Sequence, residues 1–444
     1  MRRPLLLLLA ASLLAAVGCA ARTPASAITR LEAKRAAHPD VGKTLRALGI
    51  AYYKADRFAD ARRVLASAQQ LMPRDGVTAL YLGMSAEATG DIPAARAAYE
   101  GYARFGRTSR VRAQLRARLA ALARTQLEAE AKAAVAEESA IGSEPASPRT
   151  VAVAPLAWFG TDTTYASLGR GLADLMITDL ARSSQLTVVE RDRMDALLDE
   201  VARSRSGAVD SATLVRSGRL ARAGRLVRGS ITQLAGSSLR ADAAVVDVGT
   251  ARAGKPLGAD FSLDAVFDAE KRIVLAVFDD MGVTLTPAER SAIEQRPTKS
   301  LAAFLSYSRG LAAEDAGRYR EAQRLFEDAA RIDPSFGAAQ SGANRAQATV
   351  VGASLSPAMV EASLTGTSEA AVVAAATLGV DDAGSLASSA EAARDAINPS
   401  PAAIAAGGAT VTAAPTKEGA AIATGGDNVT LNAGRIIIQV PLPK

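Results

Sequence analysis

A grid of small and large apolar residues recurs in the first quarter of the chain with a period of 34 residues. A chain with such a period builds its core by stacking copies of one supersecondary unit. Leu48-Gly49, Tyr52, Ala61, Leu65, Ala68 and Pro73 set the grid. Leu82-Gly83, Ala86, Ala95, Tyr99 and Tyr102 repeat it, with Arg107 where the closing proline would stand. A third copy lies far downstream, between Ser306 and Phe336, at Gly310, Ala313, Gly317, Ala322, Phe326, Ala329 and Pro334. The glycines and alanines let the two helices of a hairpin approach closely, while Leu48, Tyr52, Leu65 and their counterparts fill the groove between them. Such units cannot bury their apolar faces alone, so the first pair needs a cap. From Ser109 to about Glu137, Leu115, Leu119, Leu122 and Leu127 recur at helical spacing, which predicts a terminal capping helix there.

This spacing resembles the tetratricopeptide repeat. The resemblance implies helical hairpins whose grooves dock other proteins, here proteins of the cell envelope. The start of the chain supplies the reason for that compartment. Arg2 and Arg3 precede an apolar run, Leu5 to Ala16, and then Ala16-Val17-Gly18-Cys19. The run is shorter than the roughly 20 residues that span a bilayer, and its charged, apolar and small-residue plan is that of a cleaved export signal. The last four residues resemble a bacterial lipobox, although Ala16 stands where that motif prefers Leu, Val or Ile. The resemblance implies removal of residues 1–18 and lipid attachment at Cys19. Each buried CH₂ of an acyl chain contributes roughly 0.8 kcal/mol, and two or more chains anchor stably. Ala20 rather than Asp follows the cysteine, which favours an outer-membrane anchor facing the periplasm.

Cys19 is the only cysteine, which excludes an intramolecular disulfide, a thiolate metal site and a cysteine nucleophile. The net charge of +6 is spread along the chain, and no nucleic-acid partner is expected. Every Phe, Tyr and Trp lies between Tyr52 and Phe336, so the packed body is expected within those limits.

After a Ser-, Glu- and Pro-containing linker at 138–148, strand-like and helical patterns alternate. Strands are expected at Arg149 to Leu156, Leu186 to Glu190, Leu226 to Thr232 and Leu239 to Val248; helices at Tyr165 to Arg182, Arg191 to Ala202, Ser211 to Ala223 and Leu263 to Met281. Ala235-Gly236-Ser237-Ser238 reads as the turn of a β-hairpin. Val151-Ala-Val-Ala-Pro155, Leu168-Gly169, Leu186-Thr-Val-Val-Glu-Arg191, Leu226-Val-Arg-Gly-Ser230 and Val246-Asp-Val-Gly-Thr250 resemble the periplasmic domain of the CsgG superfamily, a plan shared with the TolB-like N-terminal domain. That family includes channel subunits whose membrane hairpins need strands of about 9 to 11 alternating residues. The hairpin about Gly236 reads as short, so the expectation is the ring-type module, with homo-oligomeric contacts and without the pore.

The fold class is therefore multidomain: all-α repeat hairpins flanking an α/β domain with a mixed sheet, and a disordered tail. The boundaries are a signal at 1–18, repeats and cap at 30–137, the linker, the α/β domain at 149–282, a helical connector and third repeat at 283–345, and a low-complexity tail at 346–444. Arg435 to Val440 in that tail is β-prone and suited to adding as an edge strand to a sheet.

Little in the chain suggests catalysis. Gly169-Arg170-Gly171 with Asp174 lies too far beyond its strand for a dinucleotide fingerprint and reads as a packing glycine pair at a helix start. His38 is the sole histidine, so neither a Ser-His-Asp set nor a histidine zinc site can be built. Asp242, Asp247, Asp260 and Asp264 read as surface charges. No enzyme activity, cofactor or metal is expected. The capping helix and its approach carry Arg104, Arg107, Arg110, Arg112, Arg116, Arg118 and Arg124 without an intervening acid; a solvated face is the plain reading, and contact of Arg112, Arg116 and Arg118 with anionic lipid or an acidic partner is the sharper one. The expected function is a protein-binding scaffold or assembly factor of an envelope or secretion complex. The alternatives are a pore-forming subunit of a curli-type channel and a ligand-binding sensor.

Overall fold

The repeat grid turns into helices at the positions its small residues require. The computed structural model describes residues 24–141, 146–205, 210–234, 238–381, 429–432 and 435–438, so Cys19 lies outside the described residues. The chain opens with α1 (Pro24–Ala37), α2 (Gly42–Lys54), α3 (Phe58–Leu71), α4 (Gly76–Ala88), α5 (Ile92–Phe105) and α6 (Ser109–Ala136). Asp75 and Asp91 cap α4 and α5 by accepting from the Thr78 and Ala94 amides, which fixes where each helix begins. Leu48, Leu65, Tyr81, Tyr99 and Tyr102 form the buried core between the hairpins. A methyl group at Gly83 would lie 2.5 Å from the Tyr99 ring, and one at Gly310 would lie 2.6 Å from the Phe326 ring. These glycines are packing positions.

Helix α6 caps the hairpins as expected and then does more. Leu115 and Leu122 belong to the core of the first hairpins, whereas Ala131, with Leu127, Ala134 and Val135 beside it, belongs to a core beneath the sheet of the middle domain. The expected linker begins with a helical turn, α7 (Glu138–Ile141), tied by Glu138 to Arg216 at 2.7 Å.

The middle domain contains β1 (Thr150–Val153), β2 (Ala157–Phe159), α8 (Leu168–Leu180), β3 (Thr187–Val188), α9 (Arg191–Arg205), α10 (Ser211–Leu220), β4 (Arg225–Gln233), β5 (Ser238–Asp247), β6 (Arg252–Ala253), β7 (Leu257–Ser262) and α11 (Val266–Asp280). Among the described residues the strands form a seven-stranded sheet in the order β3-β1-β4-β5-β6, with β2 also on β4 and β7 also on β5. Strand β1 runs parallel to both neighbours and is buried on both faces, as an apolar run of this kind requires. Val151, Val153, Val227, Ile231 and Val245 face α8 and α11, while Ala152, Ala154, Leu226 and Val246 face α9 and the second half of α6.

Two expectations change here. The β4–β5 hairpin is not short: its strands have 9 and 10 residues. Strand β7 was not expected, and it pairs antiparallel with β5 from Ser238↔Ser262 to Ala243↔Leu257.

Beyond the sheet come α12 (Pro287–Ile293), α13 (Leu301–Asp315), α14 (Tyr319–Ile332), α15 (Gly337–Ser354), α16 (Pro357–Ala362) and α17 (Ser368–Thr377). The expectation of a disordered tail from residue 346 onward is therefore corrected for its first part, which is helical to Thr377. Alanine and glycine bury little area, but they let helices pack at short range: Gly342 lies against Phe326, and Gly352 lies against the Ala117 carbonyl of α6. In a separate unit, β8 (Val429–Asn432) pairs antiparallel with β9 (Arg435–Ile438).

A pair of identical substitutions tests the α6–α15 contact. Gly352→Ala puts a methyl group onto the Ala117 carbonyl, whereas at Gly337, the first residue of α15, nothing lies within 4 Å. Urea unfolding is expected to show Gly352→Ala destabilised by about 1–3 kcal/mol and Gly337→Ala unchanged or slightly more stable.

Candidate functional site

The repeat residues come together as paired helix contacts. Leu48, Ala61, Ala68, Ala95, Ala322, Phe326 and Ala329 are fully buried, Tyr52 is nearly so, Leu82 is half-buried, and Gly49 lies against Leu65. Pro73 and Pro334 are exposed just after α3 and α14, where their missing amides stop the helices, and their carbonyls accept from Gln69 and Gln340 at 2.9 and 2.7 Å. None of these residues makes a ligand site by itself; together they shape a groove.

That groove is filled by the chain's own residues 355–381. Val360, Leu364 and Ala376 join the core of the first hairpins, with Ala370, Val372 and Val373 beside them. The segment is also held by its acids. Glu361 accepts from the Tyr81 hydroxyl and pairs with Lys54 at 2.5 Å. Glu369 sits at the start of α6 and accepts from the Arg107 and Thr108 amides at 3.0 and 3.2 Å, the Thr108 hydroxyl at 2.6 Å and the Tyr102 hydroxyl at 2.7 Å. Although burial opposes it, those bonds hold the Glu369 carboxyl below the usual range. Asp381 accepts from Thr44 at 2.9 Å and pairs with Lys34 at 2.7 Å.

The expected cationic face is partly consumed by the fold. Arg112 donates to the Gly106 carbonyl at 2.6 Å, and Arg118 donates to the Gly352 carbonyl at 3.0 Å and pairs with Glu87. Arg116 is exposed. Of the three, two therefore act as internal fasteners of α6.

A second concentration of polar groups was not foreseen. Arg191, the last residue of the Leu186-to-Arg191 motif, is buried where α8 and α9 meet α13 and α15. Its guanidinium lies 3.4 Å from Asp174, 2.7 Å from Asp192, 3.4 Å from Asp195 and 2.9 Å from Glu314, and it also pairs with Asp315. Arg170 pairs with Asp315, Arg345 binds Glu314 at 2.8 and 2.9 Å, and the Tyr307 hydroxyl donates to Asp174 at 2.7 Å. Burial, reinforced by the Asp315 charge and opposed by Arg191, pushes the Asp195 carboxyl up to about 7. Gly169 and Gly171 are indeed packing positions, the first against the Leu156 carbonyl and the second against Ser308 of α13. The only sequence signal for this network was an arginine closing an apolar strand.

Beside this network an open cleft of about 680 Å³ lies between α6, α9 and α14, with Arg118, Arg124 and Arg203 balanced by Glu128, Asp199 and Asp315. Asp242 and Asp260 both bind Arg240 at 2.9 Å, and Asp247 receives the Thr250 amide at 2.9 Å, so those acids are engaged at the surface. A further buried set joins α8 to α11. Lys271 pairs with Asp179 and also with Glu270, the latter at 3.1 Å. Burial pushes the Glu270 carboxyl up to about 8, against the pull of Lys271.

The mixed sheet is flanked by helical hairpins, with ion pairs at the seams. Residues 133–252, about a quarter of the chain, match the family described as curli production assembly/transport component CsgG. The match starts within α6 and ends at β6, so it defines a domain of the chain. The flanking hairpins are compatible with tetratricopeptide-like repeats, and no model of that family matches them. No protein of curated function matches the chain.

Two substitutions test the buried charges. Arg191→Met leaves Asp174, Asp195, Glu314 and Asp315 without their central cation and is expected to cost about 3–5 kcal/mol at pH 7.5, with partial recovery near pH 5 as the carboxyls protonate. For Glu270 the folded carboxyl titrates near 8 against an ordinary 4.5, so its favourable contribution is complete below the ordinary value and is lost as pH rises through 8. Thermal unfolding of Glu270→Gln should show a higher Tm than wild type at pH 9, with the gap narrowing towards pH 5.

Proposed function

We propose that this protein is a non-catalytic scaffold of the bacterial envelope that serves curli-type assembly or transport. It is held at the outer membrane, facing the periplasm, by lipid on Cys19. The observation that carries this reading is a CsgG-type domain locked to helical hairpins on both sides, through α6 and through Arg191. Such an arrangement presents one surface suited to self-association and another suited to partner proteins, in a fixed relation. The CsgG match supports the assembly class, and the hairpins support protein docking.

The pore-forming reading is weakened by the β4–β5 hairpin. Its strands are long enough to cross a membrane, but one face packs on helices of the same chain and the other carries Arg228, Ser230, Thr232, Arg240 and Asp242. A lipid-facing strand needs an apolar outer face.

Crosslinking in intact cells, followed by identification of the captured proteins, tests the proposal. The expected result is envelope assembly or secretion proteins in the crosslinks and loss of membrane fractionation in Cys19→Ser. Detergent-stable rings of the purified protein that conduct ions would replace the scaffold with the channel.

A further inference from the structure

The chemistry of residues 355–381 identifies what the groove of the first hairpins is built to hold. The segment contains three charged residues, Glu361, Glu369 and Asp381, and no Lys or Arg. All three are bound by the groove, and the groove's donors come from α1, α2, α4, α5 and the start of α6. Arg30 of α1 adds a bond to the Leu378 carbonyl at 2.8 Å, and Arg46 of α2 one to the Asp381 carbonyl at 3.3 Å. The apolar part of the fit is thin by comparison. The buried hydrophobic residues of the segment are Leu355, Val360, Leu364, Ala375 and Ala376, and two of these five are alanines, which remove little area from water. The floor they cover is aromatic: Tyr81 is fully buried, with Tyr53 edge-on to it at 5.3 Å. Aromatic side chains of this kind are large apolar anchors with a polar tip, suited to an interface.

We infer that residues 355–381 are a displaceable plug in cis, and that the groove beneath them is the docking site for a partner's acidic helical segment of the same chemistry: carboxylates, small apolar residues and no basic side chain. The inference rests on the scaffold reading only in supposing an external partner. Attachment is short at one end, where Leu355 and Ser356 join the plug to α15, so release requires no rearrangement of the third hairpin. A partner helix competes for Lys54, Tyr81, Tyr102 and the α6 start, while Lys34 and Thr44 remain for a further carboxylate.

The test uses the full-length chain. Hydrogen exchange should show amides of 357–377 opening on the order of tenfold faster than those of α2 and α4, because the plug leaves without unfolding the hairpins. A labelled synthetic peptide of residues 355–381 should bind the variant Glu361→Gln, Glu369→Gln, Asp381→Asn roughly tenfold more tightly than wild type, whose own plug competes. The same peptide with its three acids neutralised should not bind. Protection of 357–377 equal to that of α2 and α4 overturns the inference, and this exchange result in the wild type decides even where the triple variant unfolds. Equal binding of both peptides overturns it too. Concentration-dependent dimers of the variant without peptide capture would assign the groove to a second copy and overturn the partner assignment. In-cell crosslinks that capture no envelope protein would defeat the scaffold reading while leaving the exchange result standing.

Discussion

Because α6 is 28 residues long, about 42 Å at the rise of an α-helix, it outruns the hairpins it caps, and its second half must find another surface. Leu127, Ala131, Ala134 and Val135 reach the helices beneath the sheet, while in the first half Ala117 meets Gly352 of α15 at backbone range. A helix used only as a cap could have ended after Leu122. The helix as a whole makes the packing of the first hairpins, the third hairpin and the α/β domain interdependent. The arginines along it follow the same logic: Arg118 joins Gly352 to Glu87, and Arg124 reaches Glu128 at 2.8 Å and Asp199 of α9 at 3.8 Å.

The Arg191 network acts at the other seam. Buried ion pairs lose much of their Coulombic gain to desolvation, and removing one partner is costly because the remainder stays buried. Five carboxylates, Asp174, Asp192, Asp195, Glu314 and Asp315, face three guanidinium groups, Arg170, Arg191 and Arg345. Burial, with the neighbouring acids adding to it, raises the proton affinity of Asp195 and of Asp174. The network ties the third hairpin to α8 and α9, since Glu314 and Asp315 of α13 pair with the same arginine. Apolar contacts accompany it, with Phe267 of α11 against Phe304 of α13 at 5.1 Å.

The hairpins were legible because their packing depends on residues of extreme size: a glycine facing a tyrosine or phenylalanine leaves a spacing that nothing else produces. The α/β domain was legible through its apolar strand runs. Strand β7 was not, since Leu257, Ala259 and Phe261 alternate with Gly258 and Asp260, residue types depleted from strands. Helices 337–377 were obscured by an alanine-rich composition that carries no area signal, although Gly342 and Gly352 mark close helix contacts. The charged seam was illegible for another reason. Arg191 and Glu314 are 123 residues apart, and charge pairing at that separation leaves no local pattern. Arg118 likewise reaches the distant Glu87 and Gly352, and Arg112 binds backbone carbonyls, which carry no side-chain signature. Glu361, Glu369 and Asp381 carry no sequence signal either, since the groups that bind them lie more than 250 residues away.

On the proposed scaffold reading, docking at the first hairpins and self-association at the sheet would take place on one body, so an occupant of the groove would be held at a set distance from the CsgG-type surface. That claim depends on the α6 and Arg191 seams making the described body, residues 24–381, a single cooperative unit. Differential scanning calorimetry of the full-length protein tests it most directly. The account predicts one transition for this body, with the calorimetric and van't Hoff enthalpies equal. Two resolved transitions, one for the hairpins and one for the α/β domain, would contradict it.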